Sequence, residues 1–380
     1  MRTVGVEEEL LVVAESGTPV PLGPEALEAA ARRGEGETVE EHDRIEEGED
    51  DPDPGAHLVP ELKEQQIELG TRVCRDLDEV TAELIWWRSR ADAAAASVGA
   101  RVAALATSPV PVQPVATPGR RYARMAEAFG LTAEEVLTCG CHVHVSVADD
   151  EEGVAVLDRI RVWLPVLTAL TSNSPFWGGR DSGYASFRSQ VWNRWPSAGP
   201  TGRFGTPEAY HRLISDFTAT GTVLDEGMVY FDARLSASWP TVEVRVADVV
   251  LRVSDAVVHA GLVRALVETA ARDWRAGVPA PDVPTELVRV AAWRAGRSGL
   301  DDVLVDPRSG RSAPAGEVLD ALLGHVRPAL ADAGDLERVE DGLAEIRRRG
   351  TGARLQRAAF ARSGDLGAVV REAVAASHVG

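Results

Sequence analysis

Three consecutive glutamates, Glu7, Glu8 and Glu9, interrupt a run that otherwise has the composition of a buried strand, VGVEEELLVV from Val4 to Val13. Val4, Val6, Leu10, Leu11, Val12 and Val13 are β-branched or apolar, and the turn-forming Ser16, Gly17 and Pro19 follow. Successive side chains of a strand point to opposite faces. Glu7 and Glu9 therefore share one face, and Glu8 lies on the other with Val4, Val6, Leu10 and Val12. Buried carboxylates are costly unless paired or bound to a cation, and two on one face repel each other. The segment is thus either an edge strand with a solvated acidic face or one wall of a site that holds positive charge. Glu8, on the apolar face, is expected to be a structural ion-pair partner.

The same pattern recurs along the chain. QQIELGT carries Glu68 on a second predicted strand. CGCHVHVSV alternates, with His142, His144 and Ser146 on one side and Val143, Val145 and Val147 on the other. In the predicted hairpin Tyr230 to Val250, Thr241, Glu243 and Arg245 share a face. Four strands with acidic or imidazole side chains on one face point to a sheet whose polar face lines a cavity. Carboxylates with imidazole suit Mg2+ or Mn2+ rather than structural zinc. The arginines Arg180, Arg188, Arg245, Arg354 and Arg357 suit phosphate or carboxylate. Metal and arginine in one cavity fit nucleotide and phosphoryl-transfer chemistry, although the chain has no GxxxxGK[ST] loop.

Between these strands, helices are expected over Asp76 to Leu105, Gly153 to Thr171 with a kink at Pro165, Ser254 to Trp274 and Pro284 to Arg294. Ala315 to Gly350 is expected to be helical with a break near Gly334. Asn173 to Gly205, rich in Gly, Ser, Arg and Trp, reads as an ordered binding loop, with Arg180 and Asp181 paired and the tryptophans as anchors. Net charge is −19 over 380 residues, which argues against nucleic-acid or anionic-membrane partners. Much of that charge lies in Glu35 to Asp53, which reads as a solvated acidic loop. The three cysteines, Cys74, Cys139 and Cys141, form no disulfide or zinc pattern and are expected to be small buried residues. With no signal-peptide pattern and no apolar run long enough to span a bilayer, a cytoplasmic protein is expected.

The segments VGVEEELLVV, VPELKEQQIELGT, CGCHVHVSV, NSPFWGGRDSGYASFRSQVWNRWP, ATGTVLDEGMVYFDARLSASWPTVEVRVADV and WRAGRSGL, taken together, resemble the carboxylate–amine ligases, the type 2 glutamate–cysteine ligase group. The resemblance runs in order from Val4 to about Arg357 and implies a single domain over residues 1–380. It implies an α+β, glutamine synthetase-like fold, with a curved antiparallel sheet forming a funnel surrounded by helices. It also implies an ATP-dependent ligase that forms an acyl phosphate and then an amide. For the glutamate–cysteine ligases these are γ-glutamyl phosphate and γ-glutamylcysteine, from L-glutamate and L-cysteine.

Carried over by residue, the resemblance makes Glu7, Glu9, Glu61, Glu68, His144 and Glu243 metal ligands, with His142 the weaker of the two histidines. Arg245 would stabilise the transferred phosphoryl group, Arg188 would take the substrate α-carboxylate, and His144, Arg354 and Arg357 would contact ATP. A homo-oligomer, such as a dimer, is a further implication. The chain departs from the family pattern at ATSPV, where Ser108 replaces a histidine, and at HVSV, where Ser146 replaces a glycine. These departures keep two alternatives in view: the same chemistry on another acid or amine in secondary metabolism, and a non-catalytic nucleotide- or amino-acid-binding protein.

Overall fold

In the computed structural model, which describes residues 1–46 and 57–378, one antiparallel sheet gathers most of the segments singled out above. Its strands are β1 (Val4–Val13), β2 (Leu58–Pro60), β3 (Gln66–Gly70), β4 (Arg101–Ala103) and β5 (Gly140–Ser146). A separate short ribbon is formed by β6 (Phe176–Trp177) and β7 (Arg180–Asp181). The main sheet is completed by β8 (Ala233–Leu235) and β9 (Thr241–Asp248). The order is β2-β3-β1-β5-β9-β8, with β4 continuing the β5 edge of β1, and the sheet is open rather than closed. With helices packed on its apolar face, the architecture is α+β.

That face carries Val4, Val6, Leu10 and Val12, all at most 1% exposed, against the helices Leu77–Ser97 and Val253–Arg275. Burial of this apolar surface is the main term holding the layers together. Glu8 lies in the same layer and is fully buried. The Arg88 guanidinium grips it bidentately, with Nε and Nη2 each 2.7 Å from a carboxylate oxygen. The remaining Arg88 donors satisfy the carbonyls of Val250, Leu251 and Ser377. Glu8 is the structural ion-pair partner that its place on the apolar face predicts.

Several elements differ from the sequence expectations. The helix expected to Leu105 ends at Ser97, and β4 follows it; Asp76 caps its start by accepting from the Glu79 N–H. The kinked helix expected over Gly153 to Thr171 is two helices, Asp150–Ile160 and Leu164–Leu170. Pro165 sits in the first turn of the second, where its missing N–H costs nothing. The break at Gly334 is a left-handed cap (φ 78°) between Ala315–Ala333 and Leu336–Arg349. Within the expected acidic loop, Val39–Glu46 is a helix, and residues 47–53 lie outside the described residues. Cys74, Cys139 and Cys141 are buried and free. No helix among the described residues is long and apolar enough to cross a membrane.

Candidate active site

The register of β1, β3, β5, β8 and β9 brings the polar residues of one face into a row. Glu9 lies opposite Glu68, Glu7 opposite His142, and His144 opposite Glu243, with Arg234 beyond it on β8. Val59 pairs with Glu68, so Glu61, just past β2, reaches the same side. Between Cys141 and Val143 the β5–β9 ladder slips by one residue, so Arg245 and Val246 together oppose His142. This bulge changes the alternation of β9. Asp248, which simple alternation from Glu243 puts on the apolar face, pairs with Gly140 and joins the side of His142 and His144.

Two groups of donor atoms result. Single ligand atoms of Glu7, His142 and Glu243 lie within 4.8 Å of one another, and so do those of Glu9, Glu61 and Glu68. The resemblance favours His144 over His142 as a ligand. It stands beside the first group, with Nε2 3.1 Å from Glu7 Oε1 and Nδ1 3.0 Å from the Thr241 hydroxyl. His142 Nδ1 lies 3.3 Å from Glu7 Oε2, and its Nε2 is buried with no hydrogen-bond partner.

The electrostatics of the two groups differ. Burial pushes the Glu7 carboxyl up, but His144 and His142 outweigh it and hold it well below the usual range. Burial also opposes ionisation of Glu243, yet Arg245 and Arg234 keep it ionised. Arg234 Nε donates to Glu243 Oε2 at 2.7 Å, and Arg245 donates to Oε1. In the other group burial wins. The Glu61 carboxyl is pushed up to about 7 by burial and the Glu9 charge. Glu68 is raised well above the usual range by burial and by Glu7, Glu61 and Glu9. Glu9 is raised by burial, although Arg188 and the Gly140 N–H, 2.7 Å from its Oε2, pull the other way.

Three carboxylates this close cannot all ionise unaided. Oxygen donors with one imidazole, one of whose nitrogens is otherwise orphaned, fit a hard divalent cation.

Arg188 reaches the same face from the loop Asn173 to Gly205. It is 2% exposed and lies with Cζ 5.4 Å from the Trp192 ring centroid. Gly140 makes room for it: a Cβ there would come 2.3 Å from Arg188 Nη2. Asp248, which sequence reasoning missed, fastens the loop. Its Oδ2 accepts from the Asn173 N–H and the Ser174 hydroxyl, and its Oδ1 accepts from the Ser186 hydroxyl, all within 2.7–2.8 Å. Trp195 is buried and packs against Phe129 and Tyr230, as an anchor.

The expected Arg180–Asp181 pair does not form. Asp181 instead takes Arg357, whose Nε and Nη2 lie 2.7 Å from its two oxygens, because the helix Gly352–Ser363 presents that guanidinium across the β6–β7 ribbon. Arg354 faces Asp301 at 3.7 Å on the surface. Neither arginine shares a partner with the carboxylate groups. Ser108 is buried, and its hydroxyl donates to the Val110 carbonyl.

Comparison with known proteins adds to this geometry. The model of glutamate–cysteine ligase family 2 matches residues 3–374. A Streptomyces coelicolor protein named "Putative glutamate--cysteine ligase 2" is 53% identical over 376 residues, covering 99% of this chain and 98% of its own. A Paenarthrobacter aurescens protein named "Putative glutamate--cysteine ligase 2-1" is 48% identical over 379 residues, covering 100% and 95%. In fold, the chain is similar to a Francisella tularensis glutamate–cysteine ligase crystallised with AMP. There the TM-score is 0.66 at 14% identity, over 100% of this chain and 89% of that one. It is also similar to a bifunctional glutathione synthetase from Pasteurella multocida, with a TM-score of 0.60 at 15% identity, over 99% and 52%.

Proposed function

Because the chain belongs to glutamate–cysteine ligase family 2, we propose that it joins L-glutamate to L-cysteine at the expense of ATP, through γ-glutamyl phosphate, releasing ADP and phosphate. The observation that carries the reading is the pair of carboxylate groups, Glu7–His142–Glu243 and Glu9–Glu61–Glu68, on one sheet face with Arg245 and Arg188 beside them. ATP and an attacking carboxylate repel one another, so a site for their reaction needs concentrated positive charge. Mg2+ or Mn2+, held by Glu7, Glu9, Glu61, Glu68, Glu243 and a histidine, supplies charge neutralisation of the phosphates.

The chain's own residues do the rest. Arg245, tied to Glu243, is fixed where a guanidinium can stabilise charge on a transferred phosphoryl group. Arg188 orients the amino acid through its α-carboxylate, which removes much of the entropic barrier to in-line attack. The loop Asn173 to Gly205, fastened through Asp248, keeps water from the activated acyl group while the amine attacks. AMP in the Francisella relative supports a nucleotide in this fold; for this chain, ATP, the metal and both substrates are part of the proposal. His144 is assigned to the nucleotide side; Arg354 and Arg357, engaged by Asp301 and Asp181 away from the carboxylate groups, would reach phosphate only by leaving those partners.

The test is mass spectrometry of products from purified protein given ATP, Mg2+, L-glutamate and L-cysteine, with Glu243→Gln alongside. The reading predicts γ-glutamylcysteine and ADP from the wild type, and neither from the variant. ADP without that product would transfer the same chemistry to another acid or amine. No ADP with a full amino-acid pool would favour a non-catalytic binding protein.

A further inference from the structure

Two groups of opposite charge, Arg188 buried and Asp232 half-buried, line one small cavity without pairing with each other. Arg188 is 2% exposed, its Nε has no hydrogen-bond partner, and among the described residues no carboxylate forms an ion pair with it. Asp232, just before β8, faces the same cavity together with Thr168, Ser189, Trp192 and Arg245. No hydrogen bond or ion pair engages its carboxylate among the described residues. Burial pushes that carboxyl up to about 7, and Arg188 and the exposed Arg289 offset this only through space. Its backbone is fixed, since the Asp232 carbonyl accepts from the Arg245 N–H at 3.0 Å and its own N–H donates to Gly199 at 3.1 Å.

A fold that keeps an unpaired buried guanidinium and an unpaired, half-buried carboxylate around one cavity gives up stability, most of it at the guanidinium. A ligand carrying a carboxylate and an ammonium on the same carbon would satisfy both at once. We propose that Asp232 binds the α-ammonium group of the amino-acid substrate while Arg188 binds its α-carboxylate. The assignment of Asp232 rests on the ligase reading for its occupant, though the geometry of the pair stands without it.

The setting of the cavity indicates which substrate enters. Arg245 lines it and pairs with Glu243, so a head group held between Arg188 and Asp232 leaves its side chain on the Arg245 side, toward the carboxylate groups. An amine held as an ammonium against Asp232 cannot be the nucleophile. The occupant is thus the acid donor, and the carboxylate left free to react is the one on its side chain. This accounts for a γ- rather than an α-linkage with the residues of one pocket.

The test compares L-glutamate with glutarate, the same diacid without the amine, in wild type and Asp232→Asn. With ATP, Mg2+ and L-cysteine, kcat/KM for L-glutamate should fall roughly tenfold to hundredfold in the variant, mainly through KM, as expected for loss of a charge-assisted hydrogen bond. The value for glutarate should stay within about threefold, because that acid never used Asp232. Calorimetric titration of both acids onto the protein reads the same preference without turnover, so absence of ligation would count against the ligase reading and leave this inference measurable. Preference for L-glutamate that disappears in Asp232→Asn supports the assignment. Equal loss for both acids, or an unchanged preference, overturns it. Thermal melting separates a structural role: Asp232→Asn should melt at or above the wild-type temperature, and a clear drop accompanied by equal loss for both acids counts against the proposal.

Discussion

Glu8 and Glu9 are neighbours in sequence, yet one is matched inside the protein and the other is not. Glu8 meets Arg88 bidentately and is complete, whereas Glu9 faces Glu61 and Glu68 and is short of positive charge. Breaking a buried pair by removing one charge costs about 3–5 kcal/mol. Glu8→Gln should therefore lower unfolding free energy in urea by about that much, while KM for each substrate in the remaining folded protein stays unchanged. Glu243→Gln should behave in the opposite sense: turnover falls at least a hundredfold, about 2.7 kcal/mol of transition-state stabilisation. The smaller cost to stability arises because Glu7 and Glu9 still offset Arg245. Steady-state rates and urea midpoints on the two variants check the contrast. Alternation alone placed Glu8 on the apolar face and Glu9 on the polar one. The identity of Arg88 was not legible in the sequence, because it lies in a distant helix where nothing local marks it as the partner.

At the scale of elements, the β9 bulge decides what the site contains. Counting by twos from Glu243 puts Asp248 with the valines; the extra residue turns it to the polar face, where it holds Asn173, Ser174 and Ser186. A bulge leaves little trace in composition, which is why this residue was not found from the sequence while Glu7, Glu9, Glu68, His142, His144 and Glu243 were. Local signals also located the helix break at Gly334 and the strand pattern of β1, β5 and β9. They missed the three-residue β4, too short to show a period, and the reach of Arg357 to Asp181. Asp248→Ala should free the loop that carries Arg188: limited proteolysis is expected to cut between Asn173 and Gly205 far faster than in wild type, with activity lost. Gly140→Ala should displace Arg188 and raise KM for the amino acid more than for ATP, since the added Cβ meets that guanidinium and comes 3.1 Å from His142 Nε2. Separate KM measurements for the two substrates distinguish this from general unfolding.

For the whole molecule, the five carboxylates gathered on one internal face, Glu7, Glu9, Glu61, Glu68 and Glu243, should make stability depend on both pH and metal. The folded Glu61 carboxyl sits at about 7 against an ordinary 4.5. Between those values the folded state holds a proton that the unfolded chain has released, so metal-free stability falls as pH rises through this window and stays low above it. A cation that replaces the proton reverses the trend. Mg2+ or Mn2+ should raise the melting temperature more at about pH 8 than at about pH 6, and Glu61→Gln should flatten the difference.

On the proposed function, this sheet face activates a side-chain carboxylate with the γ-phosphate of ATP. Glutamate labelled with 18O in its γ-carboxylate tests it most directly, with the phosphate released during turnover with L-cysteine examined by mass spectrometry. An acyl phosphate intermediate leaves one labelled oxygen on inorganic phosphate and none on the nucleotide. Unlabelled phosphate alongside formation of the amide, or label carried on AMP, would rule out an acyl phosphate on this sheet face.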